Sequence, residues 1–168
     1  MTRHAGHVDG PFRYVLPIET RFRDTDAMGH INNAVYLTYF EAARAGYYTA
    51  VTGRSFEGIS DDPVSIILAH AKVDFRAQAW YGERLLVACR TTWAGHSSFA
   101  FGYRVTADAD SSRGAGRLVA EGKTIQVMFD YATQRPTRIP ADLLAAMADY
   151  EGGPIPPRST DQIKASHP

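Results

Sequence analysis

The sequence predicts an α+β domain in which a five-stranded antiparallel sheet wraps one long central helix, with a short helix near the C-terminus. Three observations carry this. Apolar residues alternate with period two near the N-terminus, the period switches to that of a helix over residues 33–52, and alternation returns in four later runs. At 168 residues the chain is expected to form one domain. Its expected limits are residues 12–151, between a mobile arm at 1–11 and a loose tail at 152–168.

Each element follows from local pattern. From residue 12 to 22 the even positions read Phe12, Tyr14, Leu16, Ile18, Thr20 and Phe22, against Arg13, Glu19 and Arg21 at odd ones, which marks a half-buried strand. Pro17 removes a donor from that strand and suits an edge or a bulge. Tyr36, Tyr39, Phe40, Ala43, Tyr47, Ala50 and Val51 then recur at helical spacing over about five turns. Asn32 or Asn33 is placed to cap that helix, and Gly53 to end it. Its other face, with Val35, Leu37, Ala42, Ala45 and Tyr48, is poor in charge, so the helix is expected to be enclosed all round.

Strands are predicted at 64–75, 84–93, 99–106 and 118–131, separated by turns at Tyr81-Gly82, Ala94-Gly95-His96 and residues 108–116. The simplest connection joins successive strands as antiparallel hairpins. Gly122 inside the last run is expected to mark a bulge. Pro140 opens the short helix, Leu143, Leu144, Met147 and Tyr150 share one side of it, and Gly152-Gly153 ends it.

Composition narrows the function. Eighteen Lys and Arg against eighteen Asp and Glu leave no net charge, which argues against nucleic acid or an anionic membrane as main partner. The single cysteine, Cys89, lies in an apolar strand run and is expected in the core of a cytoplasmic protein. Residues 1–11 lack the apolar stretch of a signal peptide, and His4 and His7 are read as solvated tail. No run of about 18 apolar residues is present. A P-loop, a dinucleotide fingerprint and a metal-ligand cluster are likewise missing from the sequence, so no cofactor or metal is implied.

The chemically dense segment is residues 23–44, RDTDAMGHINNAVYLTYFEAAR. Asp24, Asp26, Gly29, His30, Asn32 and Asn33 crowd together just before an apolar helix. The first amides of a helix lack intrahelical acceptors and sit at the positive end of its dipole, so they can stabilise charge developing on a carbonyl oxygen. A carboxylate beside them can attack that carbonyl or activate water. The same residues also suit a purely structural role, with the aspartates holding a turn, the asparagines capping and His30 hydrogen-bonded in place.

The run Asp26-Ala27-Met28-Gly29-His30-Ile31-Asn32-Asn33, with Tyr36-Leu37 and Phe40-Glu41-Ala42-Ala43-Arg44 after it, resembles the hotdog-fold acyl-CoA thioesterases of the 4-hydroxybenzoyl-CoA thioesterase type. In pattern it is closest to the bacterial long-chain acyl-CoA thioesterase branch. The resemblance covers the element order from about Phe12 to Tyr150, including Asp130-Tyr131 and Arg138-Ile139-Pro140. It implies a hotdog fold and hydrolysis of an acyl-CoA or aroyl-CoA thioester. It places the catalytic carboxylate on Asp26 rather than Asp24, acting as nucleophile or as general base. It implies that amides around Ile31, Asn32 and Asn33 polarise the carbonyl while His30 and Asn33 shape the site.

Around this centre, Tyr36 and Phe40 are candidates for the acyl pocket, with core packing as the alternative. Glu41 and Arg44 stand at i and i+3 and are expected to pair, and Glu41 is a reserve base because related enzymes carry one on this helix. Arg76, Arg84, Arg135 and Arg138 are candidates for CoA phosphates or plain surface charges. His70 and Lys72 face a partner, the site or solvent, and His96 a turn. An open sheet edge implies a homodimer or a dimer of dimers. Two other functions remain open: a non-catalytic acyl-thioester-binding module, and an enoyl-thioester hydratase. The hydratase signature carries Asn-Pro where this chain has Ala27-Met28-Gly29.

Overall fold

A computed structural model describes residues 11–54 and 64–159. The chain runs β1 (Tyr14–Glu19), a 3-10 turn (Phe22–Asp24), α1 (Val35–Thr52), β2 (Val64–Phe75), β3 (Arg84–Ala94), β4 (Ser98–Ala107), β5 (Leu118–Asp130), the two-residue β6 (Arg135–Pro136) and α2 (Ala141–Glu151). The five long strands form one antiparallel sheet in the order β1-β3-β4-β5-β2, with β6 added against the end of β5. This is the predicted α+β architecture, and each long strand lies within two residues of its predicted bounds except β1, which stops at Glu19.

Alternation places the core. Leu85, Val87 and Cys89 of β3 and Phe99, Phe101, Tyr103 and Val105 of β4 are buried toward α1, which contributes Tyr36, Tyr39, Phe40, Ala43 and Tyr47. Phe40 stacks on Tyr103 at 4.2 Å between ring centroids, with 7° between the planes. Gly53 ends α1 in the left-handed region at φ +68°, donating to Thr49 O at 2.9 Å. Pro17 sits on the edge strand β1 opposite Leu86, where its missing donor faces no neighbour.

Four expectations change. The strands are not all joined as successive hairpins: β3–β4 and β4–β5 are, but β2 crosses to the far edge and pairs with β5. Tyr81-Gly82 therefore belongs to a crossover, because the central positions beside β3 are already taken by β1 and β4. Gly122 is no bulge; it pairs with Tyr103 and Val73 in register. A Cβ there would run into the Phe40 ring and lie 2.9 Å from Lys72 O, so the glycine makes room for the helix to approach the sheet. The bulges fall instead between Leu68 and His70, Thr91 and Trp93, and Val105 and Thr106.

Phe22, predicted to continue the first strand inward, is 77% exposed, because the chain has already turned into the 3-10 segment. Finally, α1 is covered on one face only. Leu37 is 40% exposed and Glu41 and Ala42 lie outward, since a sheet curled in this way reaches one side of the helix.

After Pro154 the chain runs along β3 rather than away from it. Ala94 N–H donates to Pro156 O at 2.9 Å, Ala94 bridges to Pro157, and the Arg158 guanidinium lies 5.1 Å from the ring of Trp93. The β3 bulge turns Trp93 to the face shared with Ala100 and Ile125, and this segment covers it. The predicted arm up to Gly10 and the tail beyond Ser159 lie outside the described residues.

Candidate active site

The segment between β1 and α1 folds back on itself. Thr25 bridges to Ile31, Asp26 N–H donates to His30 O at 2.8 Å, and Gly29 N–H donates to Asp26 O at 3.0 Å. Gly29 turns this loop at φ +79°, a conformation that favours glycine. The next residues attach to the crossover before β3: Ile31 N–H donates to Ala79 O at 2.8 Å, and His30 bridges to Trp80, whose ring meets the imidazole edge-on at 5.7 Å.

The two aspartates have different surroundings. Asp24 is buried at 3% exposure, paired with Arg21 Nη2 at 2.9 Å and Nε at 3.1 Å. It also accepts from the Arg21 backbone N–H and the Tyr39 hydroxyl, both at 3.0 Å. Burial pushes its carboxyl up, and the donors of Arg21 and Tyr39 outweigh that and hold it below the usual carboxylate range. Asp24 thus anchors the start of α1. Asp26 is half-buried, and one of its oxygens, Oδ1, accepts Met28 N–H at 2.8 Å and His30 N–H at 3.3 Å. Its other oxygen accepts no hydrogen bond from the described residues.

A cleft of about 630 Å³ opens beside this loop. Of the residues singled out in the sequence, Asp26, His30, Ile31, Asn33, Tyr36 and Arg76 line it. Asn32, Phe40 and Glu41 do not. Phe40 is fully buried against Tyr103 and belongs to the core, which corrects its placement in the acyl pocket. Glu41 lies on the outward face of α1, 3.7 Å from Arg44, as the i, i+3 spacing predicts. Lys72 pairs with Asp74 at 3.1 Å, Arg84 with Asp108 at 3.3 Å, and His70 and His96 are exposed.

The predicted row of amide donors is reduced. Ile31 N–H is committed to Ala79 O and Asn32 N–H to Asp24 O at 2.8 Å. α1 begins at Val35, after a turn in which Ala34 N–H donates to Asn32 Oδ1 at 2.9 Å and Val35 N–H to Asn32 O at 3.0 Å. Asn32 therefore caps that turn, and Asn33 N–H is the donor of the three that meets no acceptor among the described residues.

The cleft's other wall escaped the reading of the sequence. Phe75, Gln78, Trp80 and Arg117 come from the end of β2, the crossover and the residue before β5. Glu83 is the post of this wall: it accepts Trp80 N–H at 2.9 Å, Ser111 Oγ at 2.7 Å and Arg117 Nη2 at 2.9 and 3.1 Å. Burial pushes the Glu83 carboxyl up, and these donors together bring it below the usual range. Arg117 also donates to Gln78 O at 3.1 Å. The detectable signal was two adjacent aromatics, Trp80-Tyr81, in a turn-like stretch with no apolar periodicity. Among the described residues no cluster of His, Cys, Asp and Glu is arranged to hold a metal ion, and no helix is long and apolar enough to cross a membrane.

Comparison with known proteins supplies the family. The profile of the Thioesterase-like superfamily matches residues 20–147. A thioesterase from Thermus thermophilus, solved in complex with coenzyme A and zinc, shares 29% identity; the match covers 85% of this chain and 97% of that one, with a TM-score of 0.71. A 1,4-dihydroxy-2-naphthoyl-CoA thioesterase from Synechocystis shares 25% identity over 81% of this chain and 96% of its own, also with a TM-score of 0.71.

In sequence, a 1,4-dihydroxy-2-naphthoyl-CoA hydrolase from Synechococcus elongatus is 27% identical over 73% of this chain and 86% of its own. An uncharacterized Bacillus subtilis protein, YsmA, is 27% identical over 55% of this chain, a match spanning 60% of that relative's length. These findings support thioester hydrolysis in general. With its six-stranded sheet, long helix and matched profile, the chain belongs to the Thioesterase-like superfamily and has the hotdog fold.

Proposed function

We propose that this protein hydrolyses an acyl-CoA or aroyl-CoA thioester to the free acid and CoA, with Asp26 as the catalytic carboxylate. The observation that carries the reading is the pairing, in one cleft, of an aspartate tethered through a single oxygen and the uncommitted amide of Asn33. The tether holds Asp26 in place while leaving its second oxygen for chemistry. As nucleophile, that oxygen bonds to the thioester carbon and the C–S bond breaks. CoA leaves as a thiol after taking a proton, and water then splits the mixed anhydride. As general base, the same oxygen takes a proton from the attacking water. On either route Asn33 N–H faces the oxyanion and His30 shapes the wall beside it.

The working unit is a homodimer. β2 is an edge strand of 12 residues whose outer backbone groups have no strand beside them among the described residues, and a second copy pairing there satisfies both edges at once. A monomer by light scattering at micromolar concentration overturns this assembly.

Release of free thiol from a panel of acyl- and aroyl-CoA esters tests the chemistry, with wild type and Asp26→Asn side by side. Loss of at least about a hundredfold in kcat, with unchanged melting, is expected for a group that acts in the transition state. Undiminished turnover in Asp26→Asn overturns the assignment. Saturable binding without turnover in either protein replaces it with the binding-module reading.

A further inference from the structure

Tyr36 is 2% exposed, met edge-on by Tyr39 at 6.0 Å and Phe75 at 5.2 Å, and yet forms part of the cleft wall. Its hydroxyl makes no hydrogen bond to any described residue. The other deeply buried tyrosines are all engaged. Tyr39 donates to Asp24 at 3.0 Å, Tyr47 bonds Thr91 at 2.9 Å and Glu151 at 2.8 Å, and Tyr103 bonds Thr124 at 2.9 Å.

The ring is buried but the hydroxyl oxygen is not shut off from solvent, so it opens on the cleft, where water or a bound group meets it. The phenol is thus placed to donate to what enters the cleft. Burial keeps it protonated, raising it to about 12, so it offers a proton at neutral pH. Around it the cleft presents the rings of Phe75 and Trp80, which supply apolar contact, with Arg76, Gln78 and Arg117 also on the lining.

We infer that Tyr36 is a specificity-determining residue: its phenol donates to an oxygen carried by the acyl group, so the cleft takes an oxygen-bearing acyl group in preference to the same group without that oxygen. This rests on the thioester reading above and deepens it. An acyl group that lacks the oxygen displaces water from the phenol and leaves it unpaired, so the site rejects that analogue, whereas a purely apolar pocket discriminates poorly.

Matched CoA thioesters test it: butyryl against 3-hydroxybutyryl and acetoacetyl, and benzoyl against its 2-, 3- and 4-hydroxy forms. For wild type and Tyr36→Phe, both kcat/KM and Kd are measured, and the readout is the ratio within each pair. One hydrogen bond predicts a wild-type preference of about tenfold for an oxygenated member, falling to within about twofold of parity in Tyr36→Phe. A global structural defect lowers both members alike and leaves the ratio unchanged, which overturns the inference, as does a wild type that treats every pair equally. If wild type releases no thiol, the ratio is read from Kd. A Tyr36-dependent preference there upholds this inference and overturns the hydrolase reading, and no binding of any ester overturns both. Should Tyr36→Phe fail to fold, Tyr36→Met gives the same ratio.

Discussion

Replacing Asp24 and Asp26 one at a time by asparagine separates the two carboxylates of the loop. In Asp24→Asn the side chain keeps its volume but loses its charge, and one oxygen becomes an N–H donor. Four donors converge on that carboxylate: Arg21 Nε at 3.1 Å, Arg21 Nη2 at 2.9 Å, and Arg21 N–H and Tyr39 Oη at 3.0 Å. Arg21 is half exposed and water replaces much of what it loses, so the cost falls mainly on the buried Tyr39 hydroxyl and the Arg21 amide. A bond to a charged group contributes about 1.5–3 kcal/mol against about 0.5–1.5 for a neutral one, so each of these two loses about 1–1.5 kcal/mol and the total is about 2–3 kcal/mol.

For a domain of this size that corresponds to a fall in melting temperature of about 5–10 °C. Urea unfolding at pH 7, followed by fluorescence and circular dichroism, reads it as a lower midpoint at constant slope. The pH dependence carries a sign. Asp24 is held below its unfolded-state value of about 4, so its contribution is full above that pH and is lost as pH falls through the lowered folded value. The gap between wild type and Asp24→Asn therefore closes on acidification below about pH 4. An unchanged midpoint in Asp24→Asn, or an Asp26→Asn variant destabilised by as much, refutes this division of labour.

Two further tests follow from packing. Gly122→Ala drives a methyl group into the Phe40 ring and toward Lys72 O, and overpacking of this kind costs about 2–3 kcal/mol; a loss under about 0.5 kcal/mol in urea unfolding shows that α1 can lift from the sheet. Cys89 is fully buried and burial pushes its thiol well up, so an aromatic disulfide reagent labels it no faster than the protein unfolds; rapid labelling of native protein contradicts the packing around β3.

The elements and the make-up of the loop were legible because both are local. Alternation at Leu85, Val87 and Cys89 and helical spacing from Tyr36 to Tyr47 express which side of each segment faces the core, and neighbouring residues settle that. The same holds for Gly53 and for the Glu41–Arg44 pair, one helical turn apart. The misplacements share the opposite character. Phe40 has the spacing of a pocket residue and of a core residue alike, and only the approach of Gly122 on β5 makes it core. Ile31 and Asn32 have the position of free helix-start amides, but Ala79 O and Asp24 O take them.

By itself the sequence determined that a long aromatic-faced helix follows an edge strand through a loop holding two aspartates, and that four strands come after it. Tertiary structure decided the order of those strands, the division of the aspartates into anchor and free carboxylate, and the far wall of the cleft. Glu83 is tied to Ser111 across 28 residues and to Arg117 across 34, and Thr20 to the Glu83 carbonyl across 63. Periodicity records which face of a segment is dry. Which distant segment dries it depends on pairing geometry that no short window of sequence contains.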